Sequence, residues 1–337
     1  MSKLTEIQEN ELFKQYREER KQELRGVQAP QKEAAKKTVF GMARDKLTTE
    51  ESRFKEKGQK QAGVSGGYVA TESETGETFI LKHFYKSNQD IPSGSDQKRT
   101  AQHGQDRQDA VRELLGSTMY QFLLYDRAPK EGLVKPVGKK LDPNHLYVRS
   151  KFFTNATTLS EFTGLSAAST YVNPTKELRA LEGLEKANAA CDFLGEIDYH
   201  PGNLMVQDGK TVTKIDHGRS FTANFTDFGG MVKARHDLFS NTGYTDAINC
   251  DRLSFSIEKY SQALNQMLEQ YDERQMEAVI DQKFDELKNA GFDPSGTVVF
   301  PIDQQDGKLL NSFDELKQFY KDQMRESQYY ARCCSVC

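Results

Sequence analysis

The stretch GEIDYHPGNLMVQDGKTVTKIDHGRSF, from Gly195 to Phe221, carries the clearest signal in this sequence. It contains an aspartate at Asp198, an asparagine five residues later at Asn203, and a second aspartate at Asp216. Two short apolar runs separate Asn203 from Asp216, and Gln-Asp-Gly-Lys joins them with the residues of a tight turn. We therefore predict a loop, a β-hairpin and a second loop, which bring an acid, an amide and another acid together.

These three side chains match the requirements of phosphoryl transfer from ATP. That reaction needs metal ligands, a positive charge beside the phosphates, and a group that orients the attacking hydroxyl. Mg²⁺ prefers carboxylate, amide and water oxygens. We therefore expect Asp198 to orient the hydroxyl, and we expect Asn203 and Asp216 to hold Mg²⁺ or Mn²⁺ beside the nucleotide.

The same residues give the chain a resemblance to the protein-kinase-like superfamily, in its atypical branches. Asp198 to Asn203 has the D-x-x-x-x-N spacing of a kinase catalytic loop, and Asp216-His-Gly stands where Asp-Phe-Gly would stand. Asp-x-His-x-x-Asn followed by Ile-Asp-x-Gly is similar to phosphoinositide kinases. Asp-x-His-Pro-Gly-Asn is similar to the aminoglycoside and choline phosphotransferases. A second candidate, Asp227-Phe-Gly, has no strand directly before it, so Asp216 is preferred as the metal ligand.

Three features depart from the protein-kinase pattern. Glu196-Ile197 precedes Asp198 where protein kinases carry His-Arg, His217 replaces the phenylalanine, and no Ala-Pro-Glu follows. None of these changes removes a group that the chemistry requires, so a catalytically competent enzyme is expected. His200 is expected to pack and hydrogen-bond within its own loop.

The resemblance extends upstream to the parts that would hold the nucleotide. Lys82 ends the strand-like run Phe-Ile-Leu-Lys and is similar to the lysine that contacts the phosphates. Glu113, on the predicted helix that follows, is expected to pair with Lys82, and Asp109 is the alternative partner. Gly-Val-Ser-Gly-Gly differs from G-x-G-x-x-G but would still let backbone N–H groups approach phosphate. The predicted loop residues are Gly63, Ser65, Gly66 and Gly67.

Periodicity and turn signals predict an α+β chain with the bilobal protein-kinase-like fold, in which a small β-rich N-lobe precedes a larger helical C-lobe. The predicted elements are a hairpin over 63–86, a polar loop over 87–108, a helix over 109–125, strands in LVKPVG and HLYVRSKFF, and helices over 255–290 and 313–332. The predicted domains are a helical arm over 1–60, the N-lobe over 61–154, the C-lobe over 155–300, and a C-terminal helix with its tail over 301–337.

Composition narrows the setting in which the chain works. A net charge of −4 gives no general attraction to nucleic acid, so no nucleic-acid partner is expected. The sequence has no apolar run long enough for a membrane span, and its first residues lack the core of a secretory signal. Five cysteines in 337 residues favour a reducing compartment, so we expect a cytoplasmic protein.

The last residues suggest membrane attachment. Cys334-Ser-Val-Cys has the C-a-a-X form for prenylation, and Cys333 beside it is a candidate for palmitoylation. A tail with incidental thiols is the alternative. Because prenylation requires eukaryotic enzymes, a bacterial chain would be a secreted effector that acts inside a host cell. The second membrane signal would be the basic residues Lys317, Lys321, Arg325 and Arg332.

Three functions follow, and they belong to different classes. The first is an ATP- and Mg²⁺-dependent Ser/Thr protein kinase, acting as an effector at host membranes. The second is a phosphoinositide or other small-molecule kinase, and the third is a non-catalytic kinase-like scaffold. Basic clusters would be either solvated surface or sites for anionic lipid or polyphosphate. These clusters are Lys32, Lys36 and Lys37, and Lys135, Lys139 and Lys140.

Overall fold

Strands between residues 48 and 151 form a six-stranded sheet. The computed structural model describes residues 48–59, 67–84, 96–125, 127–135, 147–164, 180–196, 198–222, 257–299 and 308–335. The strand order is β1-β5-β6-β4-β3-β2, antiparallel except for the parallel pair of β1 with β5. The strands are β1 (Thr48–Glu50), β2 (Phe54–Gln59), β3 (Gly67–Glu72), β4 (Thr78–His83), β5 (Glu131–Lys135) and β6 (Tyr147–Lys151).

The sheet confirms the predicted hairpin of β3 and β4 and the two predicted strands that follow. Alternation along β3 and β4 turns Ala70, Phe79 and Leu81 inward, where all three are buried. Ala70 and Leu81 pack with Val134 of β5 in a single apolar cluster. Gly76 has a φ of 73° in the turn between the two strands, a conformation that glycine adopts at low cost.

Residues 48–59 correct the prediction of an exposed helix that extends to residue 60. They form β1, a short 3₁₀ turn (Glu51–Arg53) and β2. Phe54 packs edge-on against Phe79, with ring centroids 5.8 Å apart, and β2 pairs with β3 along its length. Lysine and glutamate favour a helix in isolation, but strand pairing and this aromatic contact outweigh that local preference.

Helix α1 (Asp96–Leu124) contacts both the six-stranded sheet and the helical part that follows. It contacts β5 and β6, and its buried apolar side chains include Val111, Leu114 and Leu115. The predicted helix over 109–125 is therefore confirmed, but its start is wrong. Residues 96–108 are helical rather than a loop, because their Gln, Lys and Arg side chains are good helix formers despite their polarity.

The second part is mainly helical and carries the predicted short hairpin. Strands β8 and β9 pair antiparallel and join β7 in a three-stranded sheet; Asp208 and Gly209 take positive φ in the turn between β8 and β9, as a tight Asp-Gly turn requires. A further hairpin, β10 with β11, contacts α1 through β10. The remaining strands are β7 (Ala156–Thr158), β8 (Leu204–Gln207), β9 (Thr211–Lys214), β10 (Thr297–Val299) and β11 (Lys308–Leu310).

In this part the last helix, α6, contacts α3, α4 and α5, and α3 also contacts α4. The helices are α2 (Leu159–Thr163), α3 (Leu184–Phe193), α4 (Ile257–Gln270), α5 (Glu273–Asn289) and α6 (Phe313–Ser335). Among the described residues, none of the helices combines the length and apolarity needed to cross a bilayer. A sheet lobe with one long helix, followed by a helical lobe, is the α+β two-lobed architecture that the sequence predicted.

Candidate active site

Lys82 lies at the centre of a buried group of charges. It projects from the face of β4 opposite to that of Phe79 and Leu81, and it forms an ion pair with Glu113 of α1, whose side chain is fully buried. Its Nζ also lies 3.5 Å from a carboxylate oxygen of Glu131, the first residue of β5. The alternative partner Asp109 is instead paired with Arg112 at 3.2 Å. The structure thus brings together Lys82 and Glu113, the predicted pair.

Burial and opposite charge act against each other on the pKa of Lys82. Burial lowers this pKa, but the carboxylates of Glu113, Glu131 and Asp216 outweigh the burial effect, so the pKa is raised and the ammonium stays charged. Burial and the neighbouring Glu131 raise the pKa of Glu113 to about 8, against the opposing effect of Lys82. Three carboxyl groups share one ammonium here, so either proton uptake or a bound cation has to balance their charge.

Glu113 also ties α1 to the loop that follows Asp216. Its second carboxylate oxygen accepts a hydrogen bond from the backbone N–H of His217 at 2.9 Å. The approach is close, because a Cβ on Gly116 would lie 2.8 Å from the Cβ of His217. Arg112 adds a bond from its guanidinium to the carbonyl of Gly218 at 3.1 Å. The helix that carries the predicted Lys82 partner therefore also fixes the predicted metal-binding loop.

The predicted catalytic loop is held by bonds among its own members. The side-chain amide of Asn203 donates to the carbonyl of Asp198 at 2.9 Å and to its carboxylate at 3.0 Å. His200 accepts from the N–H of Gly202 at 3.0 Å and lies 3.5 Å from the Asp198 carboxylate, so it packs within the loop as expected. Because the amide nitrogen of Asn203 is directed to Asp198, the amide oxygen is the atom suited to a metal.

Asp216 follows β9 in a strained backbone conformation. Its φ is 58°, in the left-handed region that non-glycine residues rarely adopt. The preceding residue, Ile215, donates its N–H to the carbonyl of Asn203 at 3.0 Å, which places the two predicted metal loops side by side. Strain of this kind clusters at functional sites, where the surrounding contacts maintain it.

The predicted phosphate-binding loop is only partly visible. Gly63, Ser65 and Gly66 lie outside the described residues, as does Asp227. Gly67 opens β3, and a Cβ there would lie 2.2 Å from the carbonyl oxygen of Leu81. Close strand packing thus accounts for this glycine, and its contact with phosphate stays a prediction.

Sequence reasoning missed two members of the charged cluster, Glu131 and His217. Ligand atoms of Glu113, Glu131 and His217 all lie within 4.8 Å of one another, a spacing that could hold a cation. His217 is fully buried against the ring of Tyr120, with ring centroids 4.7 Å apart, and burial lowers its pKa to about 3, so it is neutral. Within the described residues, neither ring nitrogen of His217 has a hydrogen-bond partner. The only sign of Glu131 in the sequence is that an acidic residue directly precedes the apolar run Gly-Leu-Val.

Three of the four basic residues predicted to form a stripe on α6 are paired with acids of α5. Lys317 and Lys321 pair with Asp281 of α5, and Arg325 pairs with Glu273 and Glu277 of the same helix. These residues were expected to supply a second membrane signal, but their charges are already matched. Of the two predicted basic clusters, only Lys135 lies within the described residues, and Val336 and Cys337 of the tail lie outside them.

The fold and the arrangement of these groups together define a kinase-like protein. A sheet lysine paired with a helix glutamate, an Asp-Asn loop, a short hairpin and an Asp-x-Gly loop occur in the predicted order and meet around one site. The superfamily resemblance seen in the sequence is confirmed at the level of fold. The catalytic roles of Asp198, Asn203, Asp216, Lys82 and Glu113 stay predictions.

Comparison with known proteins then places the chain more closely. The family model described as the LepB N-terminal domain matches residues 131–332, and the chain belongs to this family. It is 51% identical over 299 residues to an uncharacterized protein of Rickettsia conorii, which covers 87% of this chain and 40% of that protein. It is 51% identical over 294 residues to an uncharacterized protein of Rickettsia prowazekii, which covers 87% of this chain and 46% of that protein.

The chain therefore spans less than half the length of these curated relatives. Among solved structures, it is similar to the Helicobacter pylori proinflammatory kinase CtkA, with 13% sequence identity and a TM-score of 0.46. That match covers 86% of this chain and 98% of the Helicobacter protein.

Proposed function

We propose that the chain is an ATP- and Mg²⁺-dependent phosphotransferase that transfers a phosphoryl group to an alcohol hydroxyl. One observation carries the proposal. Lys82 is held in the core by Glu113, and the same carboxylate accepts from the backbone N–H of His217, directly after Asp216. The cation suited to phosphate and the acid suited to metal thus belong to one bonded network, as phosphoryl transfer requires.

Each residue has a distinct part in this proposal. Lys82 binds the nucleotide phosphates, and Glu113 fixes its position. The residues present fit a divalent cation. Several carboxyl groups share a single ammonium, and carboxylate and amide oxygens are the ligands that Mg²⁺ prefers. Asn203 and Asp216 would hold Mg²⁺ or Mn²⁺, which neutralises charge on the phosphates when bound. Asp198, whose carboxylate is half exposed, orients the acceptor hydroxyl and takes up its proton.

The acceptor we propose first is a Ser or Thr hydroxyl of a protein substrate, with the chain acting as an effector inside a host cell. The second candidate acceptor is a phosphoinositide, and the motif Asp-x-His-x-x-Asn with Ile-Asp-x-Gly favours it. Lipid attachment at Cys333 and Cys334 would bring the protein to a membrane in either case. Because Lys317, Lys321 and Arg325 are already paired, anchoring would depend mainly on the lipids themselves.

Labelled ATP would test the proposal. Purified wild-type protein and Asp216→Ala are incubated with Mg²⁺ or Mn²⁺ and either host-cell lysate or phosphoinositide vesicles, with and without small anionic activators. Label in protein that disappears with Asp216→Ala supports the first acceptor class. Label in lipid alone replaces it with the second. Equal label with wild type and variant, or none with either, would favour the non-catalytic scaffold.

A further inference from the structure

A second buried ion pair lies behind the two loops of the candidate site. It consists of Glu196, two residues before Asp198, and Lys214, the last residue of β9. Both side chains are fully buried, and their charged atoms lie 4.0 Å apart. Neither residue is among the groups to which the proposed reaction assigns a role.

The side chain of Lys214 binds the backbone of the loop that carries Asp216. Its Nζ donates to the carbonyl of Ile215 at 2.8 Å and to the carbonyl of Asp216 at 2.6 Å. The ammonium also lies over the ring of Tyr120, 5.6 Å from its centroid. Asp216 has the left-handed φ of 58°, so these two bonds hold carbonyls on either side of a strained residue.

Glu196 binds the catalytic loop and the end of the metal loop. One carboxylate oxygen accepts from the backbone N–H of Asp198 at 2.9 Å. The other accepts from the hydroxyl of Ser220 at 2.8 Å. Through the buried side chains of Glu196 and Lys214, charge-assisted contacts join the backbones of Asp198 and Asp216.

A buried ion pair of this kind is a costly way to stabilise a fold, because burying two charges removes both from water. A well-packed apolar pair of similar volume often stabilises a protein as well or better. The charges here also orient the two loops. Glu196 accepts from the backbone N–H of Asp198, and Lys214 donates to the carbonyls of Ile215 and Asp216. Outer contacts that orient metal ligands have this character.

We propose that Glu196 and Lys214 are positioning residues that set the distance and orientation between Asp198 and the metal-binding Asp216. This inference rests on the proposed function. It also gives a physical role to Glu196, the first residue of the Glu-Ile that stands where protein kinases carry His-Arg. Neither side chain touches the reacting atoms, and each acts through the backbone of the loop that it binds.

The decisive variant is Lys214→Met, which keeps the apolar length and removes the charge. We expect Mn²⁺ affinity in the presence of ADP, measured by electron paramagnetic resonance, to weaken about 10- to 100-fold. We expect kcat to fall by a similar factor while KM for ATP stays within about twofold, since Lys82 is untouched. A loss of the fold alone would lower nucleotide binding and kcat together.

The matched control is Lys283→Met. Lys283 is also buried and also pairs with one carboxylate, Glu286, at 2.8 Å, but it lies on α5. It should leave Mn²⁺ affinity and kcat unchanged. A milder variant, Glu196→Gln, keeps one oxygen that can accept from the N–H of Asp198, places an amide N–H that can donate to the hydroxyl oxygen of Ser220, and removes the charge facing Lys214. Glu196→Gln should lower Mn²⁺ affinity and kcat, as Lys214→Met does, but by a smaller factor. If Lys214→Met does not fold, the result with Glu196→Gln tests the proposal.

Hydrogen exchange separates this inference from the proposed function. Glu196→Gln should speed amide exchange both in residues 198–203 and in residues 215–222, even in protein that transfers no phosphate. Exchange that changes only beside residue 196, or Mn²⁺ affinity equal to that of the wild type, would overturn the inference. If the wild type itself binds neither Mn²⁺ nor ADP, the proposed function fails, and the exchange result still tests the link between the loops.

Discussion

Two charged regions of this protein are built in opposite ways. The active-site cluster is buried and unbalanced, because one ammonium faces several carboxylates: Lys82 with Glu113, Glu131 and Asp216. The α5–α6 network is close to balanced and partly exposed, because three basic side chains of α6 face four acids of α5. Its members are Lys317, Lys321 and Arg325 with Glu273, Glu277, Asp281 and Asp285.

This difference distinguishes a candidate ligand-binding site from ion pairs that only support the fold. Exposed ion pairs contribute between zero and about 1 kcal/mol each, and salt weakens them further. A buried excess of one sign is unfavourable by itself and is expected where a ligand of opposite charge completes the arrangement. The sequence shows charged residues in both regions, and only burial and balance tell them apart.

The largest effect that would test this contrast is on phosphate transfer. Asp216→Ala removes a carboxylate from the proposed metal site, and we expect transfer to fall about 10³-fold, since a bound metal supplies several kcal/mol of transition-state stabilisation. Initial rates with labelled ATP would measure the loss. Asp281→Ala in the α5–α6 network is the control and should keep the wild-type rate. Equal rates for Asp216→Ala and the wild type would contradict the assignment.

The second effect concerns both activity and stability. Lys82→Met should lower kcat/KM about 10²-fold, because one charge that stabilises the phosphates is lost. It should also destabilise the fold by roughly 3 kcal/mol at pH 8, as breaking a buried pair does. The pKa of Glu113 is raised to about 8, above that of the unfolded chain, so its protonated form is favoured in the fold and that preference is lost as pH rises.

The stability defect of Lys82→Met should therefore be smaller at pH 6 than at pH 8, because protonation neutralises the stranded carboxyl groups. Urea unfolding at the two pH values would measure the difference. A defect that stays constant or grows at pH 6 would contradict the interpretation that excess negative charge dominates this cluster.

The third effect is a pH slope. Burial lowers the pKa of His217 to about 3, so between pH 6.5 and pH 3 the unfolded chain binds a proton that the folded chain does not. His217 should therefore reduce the free energy of unfolding by about 1.4 kcal/mol per pH unit as pH falls through that range. His217→Phe should remove this contribution. Urea titrations of both proteins at pH 6.5, 5.5 and 4.5 provide the comparison, and parallel slopes would show that His217 is protonated in the fold.

The smallest effect should come from the α5–α6 network. Lys317 lies 3.5 Å from Asp281 and 3.7 Å from Asp285 and keeps part of its side chain in water. Lys317→Ala should change the free energy of unfolding by about 0.5 kcal/mol or less and leave phosphate transfer unaltered. Repeating the unfolding in high salt should abolish the difference. A change of several kcal/mol would remove the distinction between the two regions.

The ordered motifs were predictable because they depend on local spacing. The Asp-Gly turn fixes the β8–β9 hairpin, and the apolar period of α1 turns Glu113 toward the sheet. Each of these signals spans only a few residues of the chain. The predicted partner of Lys82 could thus be chosen from the sequence, and the structure brings the two together.

The supporting groups could not be predicted because they depend on contacts between distant segments. Glu131 and Lys214 resemble ordinary strand-end charges in the sequence, and only tertiary packing makes them fully buried. Residues 48–59 are a second case in which contacts between distant segments decide the structure. Their Lys and Glu content favours a helix locally, but the β2–β3 ladder and Phe54 place β2 in the sheet.

That ladder has a practical consequence for the expression of the kinase-like part alone. A recombinant fragment that starts at residue 61 would lack both β1 and β2, which cover the open sides of β5 and β3. Bare strand edges invite pairing between molecules, so such a fragment is expected to precipitate or associate. A useful fragment therefore has to begin before Thr48, where the sheet acquires its outermost strand.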